Sequence, residues 1–226
     1  MPTTGARYDG VAEWFDRELA TSPLAEDDWE TVARLLGSPG GSLLDIGCGT
    51  GTFGAALGRL GWTVTGVDVS EDQLRLAQAR GVDVVLADAG RLPFEAGTFD
   101  AAISTWTHTD IDDFPAVLAE VARVLRPSSP FVYLGAHPCF VGPHSRFVGA
   151  EGVPELHPGY RETSRYTEAP GISPVGLRAR VGATHLPLGL FVQAFTDAGF
   201  ALEHFEEPED REYPYKLALR WRNGSG

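Results

Sequence analysis

Between residues 42 and 135 short apolar runs alternate with amphipathic segments. Residues 42–46 (SLLDI) are a short apolar run. Residues 53–60 have helical texture. Residues 62–68 (WTVTGVD) are β-rich and end in an acid. Leu74, Leu76 and Ala77 put an apolar face on a helix over 71–80. Strands follow at 82–87 and 99–104. Asp112 or Asp113 then opens a helix that turns Val117, Leu118, Val121, Val124 and Leu125 inward and stops at Pro127. A fifth strand covers 130–135. Strands and helices alternating at this spacing predict a parallel sheet covered on both faces.

The flanks differ from this core. Over 10–37, Val11, Trp14, Phe15 and Leu19, and then Trp29, Val32, Leu35 and Leu36, predict two short amphipathic helices. Asp27 or Asp28 caps the second, and Gly37 ends it. Residues 137–187 show no long helix or strand pattern. They hold seven prolines, seven glycines and four histidines, and a loop of that length is usually functional or disordered. Recurring Phe140, Phe147, Leu156, Tyr160, Tyr166 and Leu177 favour an ordered lid. A helix over 188–198, ended by Gly199, precedes strands at 200–206 and 213–221. A hairpin-like pair closing a parallel sheet makes one strand antiparallel. The expected organisation is one domain over 1–226: a helical cap (1–37), a core (38–136), a lid (137–187) and a C-terminal helix and strand pair (188–226). No internal repeat is visible.

Charge narrows the partners. Lys and Arg number 18 against 31 Asp and Glu, a net −13 across 226 residues. That balance disfavours nucleic acid and anionic membrane surfaces and leaves a small cationic ligand open. Two cysteines, Cys48 and Cys139, make neither a disulfide framework nor a CxxC zinc site. No apolar run reaches membrane length, and residues 1–19 lack a signal-peptide core. The expectation is a cytoplasmic protein with no bound metal, a small-molecule partner, and no nucleic acid or membrane. Monomer and homodimer both stay open.

The strongest chemical signal is Leu43-Leu44-Asp45-Ile46-Gly47-Cys48-Gly49-Thr50-Gly51. A buried strand runs into glycines that open a helix, where backbone N–H groups approach a ligand closely. Asp45 lies inside the strand end. Asp68 ends the second strand, 23 residues on, where an acid takes both ribose hydroxyls. Gly49-Thr50-Gly51-Thr52-Phe53-Gly54 also matches GxGxxG, so an NAD(P)-dependent oxidoreductase using Gly49, Gly51 and Gly54 is an alternative. Against it, the glycines begin earlier, at Gly47, and an acid before the loop repels a pyrophosphate. It suits an ammonium or hydroxyl groups.

Five blocks together resemble the class I S-adenosylmethionine-dependent methyltransferases. LLDIGCGTG resembles their first motif and GVDVSEDQLRLAQAR (66–80) their second. ADAGRLPFEAGTFDAAIS (87–104) and LAEVARVLRPSSPFVY (118–133) resemble the next two, and YDGVAEWFD (8–16) resembles an N-terminal tyrosine motif that closes over the methionine end. The likeness covers about residues 8–136. It implies an α/β, Rossmann-like, mostly parallel sheet of seven strands, the last antiparallel, with helices on both faces, plus the substrate lid. It implies S-adenosyl-L-methionine as cofactor and S-adenosyl-L-homocysteine as product. By the same resemblance Gly47, Gly49 and Gly51 line the cofactor, and Asp45 reaches its amino-acid part. Asp68 binds ribose, Val69 packs on adenine, and Asp88 with the Ala89 backbone borders the adenine amino group. Tyr8, Cys48, Gln73 and Thr105 complete the cofactor set.

Methyl transfer from a sulfonium is an in-line displacement with an activated leaving group, so the protein mainly supplies proximity and orientation. A hydroxyl acceptor gains from a general base. His108, after strand four in Thr105-Trp106-Thr107-His108-Thr109-Asp110, is the first candidate, with packing or capping as its other reading. His185 is the second. Trp106, His137 and Tyr160 are the expected substrate contacts. Asp110, Asp112 and Asp113 favour helix capping over a metal. Residues 104–108 lack the Asn/Asp-Pro-Pro-aromatic loop of nucleic-acid amino methylation, and no Pro-Cys follows the fourth strand. The expected reaction is methylation at O, N or C of a small aromatic or apolar metabolite. A methyltransferase-like protein with a non-methyl reaction is the further alternative.

Overall fold

The computed structural model describes residues 6–20, 28–148, 152–174 and 176–224. Helices α1 (Ala12–Ala20) and α2 (Asp28–Leu36) precede β1 (Ser42–Ile46), α3 (Thr52–Arg59), β2 (Thr63–Asp68), α4 (Glu71–Ala79), β3 (Asp83–Leu86) and β4 (Ala101–Thr105). A single 3₁₀ turn (His108–Asp110) leads to α5 (Phe114–Val124) and β5 (Pro130–Ala136). After β6 (Ser145–Val148), β7 (Val153–Leu156) and α6 (Leu177–Val181) come α7 (Leu188–Asp197), β8 (Phe200–Glu206) and β9 (Lys216–Asn223).

Seven strands form one sheet in the order β3-β2-β1-β4-β5-β9-β8. The pairs from β3 to β5 are parallel, and β9 runs antiparallel to both β5 and β8. The last strand is thus the reversed one, as expected. Strand order turns back at β1 and β4, which opens a crevice at their carboxyl ends, the place where open α/β sheets bind ligands.

Burial follows the periodicity. On one face, Val117, Leu118 and Val121 of α5 pack with Phe191 and Phe195 of α7 against Phe131, Tyr133 and Trp221 of the sheet. Phe195 stacks on Trp221 at 4.5 Å. On the other face, Val32, Leu35 and Leu36 of α2 join Leu57 of α3 and Ala77 of α4. Asp113 caps α5 by accepting from the Ala116 amide at 3.1 Å, and Ser70 caps α4.

Three local expectations change. Trp29 is 38% exposed, so α2 buries Val32, Leu35 and Leu36 without it. Asp28 is the first helical residue, buried and turned towards the sheet; Asp27 and the Leu19 side chain lie outside the described residues. Segment 137–187 carries short regular pieces, the β6–β7 hairpin and the five-residue α6, too brief for periodicity to register.

Candidate active site

The loop after β1 brings two chain segments together through one glycine. Gly47 has φ +64°, and a Cβ there would come 2.4 Å from Thr107 Cγ2. Only glycine lets the β1 and β4 loops meet this closely. Gly51 and Gly54 serve a different contact. A Cβ on Gly51 would meet Ala77 at 2.8 Å, and one on Gly54 would meet Val82 at 3.2 Å. They seat α3 against α4 and the strand side of Val82. Gly51 therefore does not line the crevice, and the GxGxxG match reflects helix packing.

Two acids frame the loop. Asp68 Oδ2 accepts from the Gly49 amide and Oδ1 from the Ser70 amide, each at 3.0 Å. These bonds fix the carboxylate at the crevice wall; burial still raises its pKa. Asp45 is fully buried beneath the loop and does not reach the crevice surface. Neither carboxylate oxygen has a hydrogen-bond partner among the described residues. Burial and then the Asp68 charge push its pKa up to about 7, against a small opposing effect of the Gly54 amide.

A cavity of about 1090 Å³ opens over the loop, just above the usual range for a single small-molecule site. Gly47, Cys48, Gly49, Asp68, Val69 and Gln73 line one end. Val69 is 54% exposed, an apolar face offered to the cavity. The Gln73 Oε1 is buried without a partner among the described residues. Cys48 packs its sulfur over Gly66, and burial raises its thiol pKa. Asp88 and Ala89 also line the wall, and Asp88 Oδ1 closes a turn onto the Gly90 amide at 2.8 Å. Tyr8 and Thr105 line it too. The segment bearing Tyr8 is pinned over the crevice by the Ser70 hydroxyl donating to Asp9 at 2.6 Å and the Gly10 amide donating to Asp72.

The other end is built from Trp106, Val141, Tyr166, Ile172, Leu177 and Tyr215. Trp106 has φ +60°, a conformation that costs a non-glycine residue roughly 1–2 kcal/mol. Its amide donates to the Leu134 carbonyl at 2.8 Å, and its indole N–H donates to Asp28 at 2.9 Å. Asp28 is itself held by the buried Lys216 ammonium at 2.6 Å. Even so, burial raises the Asp28 pKa more than Lys216 lowers it.

The histidines do not join this cavity. His108 is buried on the α7 side, hydrogen bonded through Nδ1 to the Tyr133 hydroxyl and 5.1 Å from the Phe191 ring. Burial, then Arg178, lowers its pKa to about 3. His185 donates from Nε2 to the Tyr160 carbonyl at 3.0 Å, and burial lowers its pKa to about 4. His137 bridges the Cys139 amide and Glu207. The Tyr160 hydroxyl accepts from the Leu188 amide. All four side chains brace segment 137–187 and its neighbours, and none is on the cavity wall.

What lines the cavity instead is a polar cluster that the sequence did not reveal. Arg178 Nη1 lies 2.5 Å from Asp110 Oδ1, and the Tyr8 hydroxyl donates to Asp110 Oδ2 at 3.2 Å. Burial and Asp110 raise the Tyr8 pKa. Asp112 pairs with Arg7, which leaves Asp113 alone as the helix cap. The acids after strand four were visible; their partner Arg178, 68 residues on, carried no local signal.

A doubly wound sheet with an acid-framed glycine loop at its switch point defines a nucleoside-binding α/β protein. Comparison with known proteins makes this specific. The family described as "Methyltransferase domain" matches residues 44–133. The ubiquinone/menaquinone biosynthesis C-methyltransferase UbiE of Desulfotalea psychrophila is 33% identical over 167 residues, covering 69% of this chain and 68% of that one. The demethylmenaquinone methyltransferase of Mycolicibacterium gilvum is 35% identical over 128 residues, covering 55% and 56%. A crystal structure of an S-adenosylmethionine-dependent methyltransferase from Mesorhizobium loti shares the fold: TM-score 0.70, 24% identity, 95% of this chain and 99% of that one. The chain belongs to the class I S-adenosylmethionine-dependent methyltransferase family and is an enzyme of that kind. The family carries the decision against the oxidoreductase alternative. No helix among the described residues is long and apolar enough to cross a membrane.

Proposed function

We propose that this enzyme moves a methyl group from S-adenosylmethionine to a small, apolar, aromatic-bodied metabolite. The observation that carries the reading is the single cavity that joins the glycine loop and its acids to an aromatic wall. The cofactor fits the first end on three counts: the partnerless Asp45 carboxylate, the partnerless Gln73 carbonyl, and the close backbone at Gly47. Asp68 would hold the ribose hydroxyls, Val69 would cover the adenine face, and Asp88 with Ala89 would border its edge. In its ionised form Asp45 would supply negative potential under the loop, and a cationic group above it would favour that form.

When bound, the cofactor supplies an activated methyl group. The chain's own task is then orientation and exclusion of water, the effects that carry most of such a displacement. Segment 137–187 supplies Val141, Tyr166, Ile172 and Leu177 to the cavity, and we assign it the role of substrate lid. With the histidines turned away, the Asp110 carboxylate is the acid–base group held at the acceptor end, in contact with Tyr8 and Arg178. Both relatives are named for quinone-pathway methylation, which supports an apolar acceptor here. The free thiols Cys48 and Cys139 suit a reducing cytoplasm.

Calorimetry with S-adenosylhomocysteine and with NAD tests the reading. Binding of the first and not the second is expected. Binding of NAD alone, or no methyl transfer to any naphthol or quinol in a panel with the labelled cofactor, overturns it.

A further inference from the structure

Arg178 has more bonding capacity than its partners use. Its Nη1 takes both of its bonds, to Asp110 at 2.5 Å and to the Tyr8 oxygen at 3.5 Å. Nε and Nη2 have no partner among the described residues, and the side chain is 27% exposed on the cavity wall. A guanidinium offers five donors in a planar fork suited to a two-oxygen anion. One edge of that fork is open to the ligand space.

The neighbouring guanidinium groups are paired with carboxylates. Arg7 pairs with Asp112, Arg165 approaches the same Asp112 at 3.7 Å, and Arg178 pairs with Asp110. Arg7 and Arg178 lie on the cavity wall with Asp110, Asp112 and Asp113, so what Arg178 offers a ligand is its free donor edge and not an excess of charge. Around them the wall is aromatic and aliphatic: Tyr166, Tyr215, Ile172 and Leu177. A cation with a free donor edge, in an apolar wall, is a recognition element for an anion carried on an apolar body.

Position assigns the anion to the acceptor. Arg178 follows Leu177 in α6, within the segment that supplies Val141, Tyr166, Ile172 and Leu177 to the apolar wall.

We propose that Arg178 anchors an oxyanion of the methyl acceptor, so that the acceptor is an apolar aromatic acid: a carboxylate or an ionised phenol or enol. The inference rests on the methyltransferase reading above. Arg178 binds and orients; the two-point contact with a carboxylate, or one strong contact with a phenolate, fixes the ring against Tyr166 and Tyr215.

The test is calorimetry on the full chain saturated with S-adenosylhomocysteine, titrated with 2-naphthoate, 4-nitrophenolate and neutral 2-naphthamide. At least one anion is expected to bind about tenfold or more tightly than the amide, the scale of a charge-assisted contact. The better anion identifies the source of the oxyanion. R178Q is expected to abolish the preference while leaving the amide and S-adenosylhomocysteine unchanged. R178K keeps the ion pair with Asp110 and serves where R178Q does not fold; it weakens the anions only. The proposal is overturned if neither anion outbinds the amide in the wild type, or if the preference survives in R178Q. It is overturned equally if R178Q weakens S-adenosylhomocysteine instead, since Arg178 would then serve the cofactor carboxylate. Failure of the wild type to bind S-adenosylhomocysteine is a different result and sinks the methyltransferase reading itself.

Discussion

The two ends of the cavity are built by opposite means. At the cofactor end the chain supplies contiguous residues, Gly47 to Gly49 and Asp68 to Gln73, set by two strands and the helices they open. At the acceptor end the wall is assembled from distant segments: Trp106 and Asp110 after β4, Arg178 in α6 and Tyr215 before β9, with Tyr8, before α1, bonded to Asp110 between the two ends. The first end depends on backbone approach, which local sequence specifies. The second depends on side-chain pairs that only the folded chain assembles. On the proposed assignment of segment 137–187 as the substrate lid, variation there would change the acceptor without disturbing the loop, as one fold can serve many substrates.

The largest expected effect tests whether the acceptor wall has a rigid base. Trp106 is held by Asp28, and Asp28 by Lys216. Lys216→Met leaves a buried carboxylate without its cation, which costs about 3–5 kcal/mol of stability. Urea denaturation measures it, and adding Asp28→Leu should recover most of the loss. A cost below about 1 kcal/mol would place this pair with ordinary surface ion pairs. The wall would then owe its position to α6 and the lid.

Acid and base dependence separates the two ends next. Asp45 binds its proton more tightly in the folded chain, with a pKa of about 7 against 3.8. Stability from this group is therefore lost as pH rises between those values. His108 behaves oppositely: its pKa falls to about 3 from 6.5, so stability is lost as pH falls between these two. Each slope is worth roughly 4–5 kcal/mol across its full window, and they oppose each other where the windows overlap. Asp45→Asn should make the melting temperature climb with pH there, and His108→Gln should make it fall. Two variants with the wild-type profile would show that neither group titrates on unfolding.

These groups also show where the sequence was legible. Asp45 and Asp68 were visible because a strand end and a glycine run fix them locally. His108 follows β4 as expected, and of its two readings the structure shows packing, against Tyr133 and Phe191. The left-handed Trp106, φ +60°, redirects the chain just before it, and no residue type announces that turn. Gly51 looked like a ligand contact because spacing cannot distinguish a glycine facing a cofactor from one facing Ala77. Lys216 and Arg178 stayed hidden for a third reason: their partners are 188 and 68 residues away.

The smallest effect bears most directly on the division between the ends. Asp68 already accepts two backbone amides, so its carboxylate is oriented before any ligand arrives. Asp68→Ala removes the proposed acceptor for two ribose hydroxyls and should weaken S-adenosylhomocysteine by about 1–3 kcal/mol, about a 5- to 150-fold change in Kd. The same substitution frees the Gly49 and Ser70 amides, which water can reach at the crevice wall, so the fold should persist. If the ends are independent, the contrast between 2-naphthoate and 2-naphthamide measured at saturating S-adenosylhomocysteine stays as in the wild type. Asp68 and Asp110 do influence each other electrostatically, and that is the route by which the two could couple. A changed anion preference in Asp68→Ala would show that the cofactor acids help set the acceptor's charge, and that the two ends act as one site.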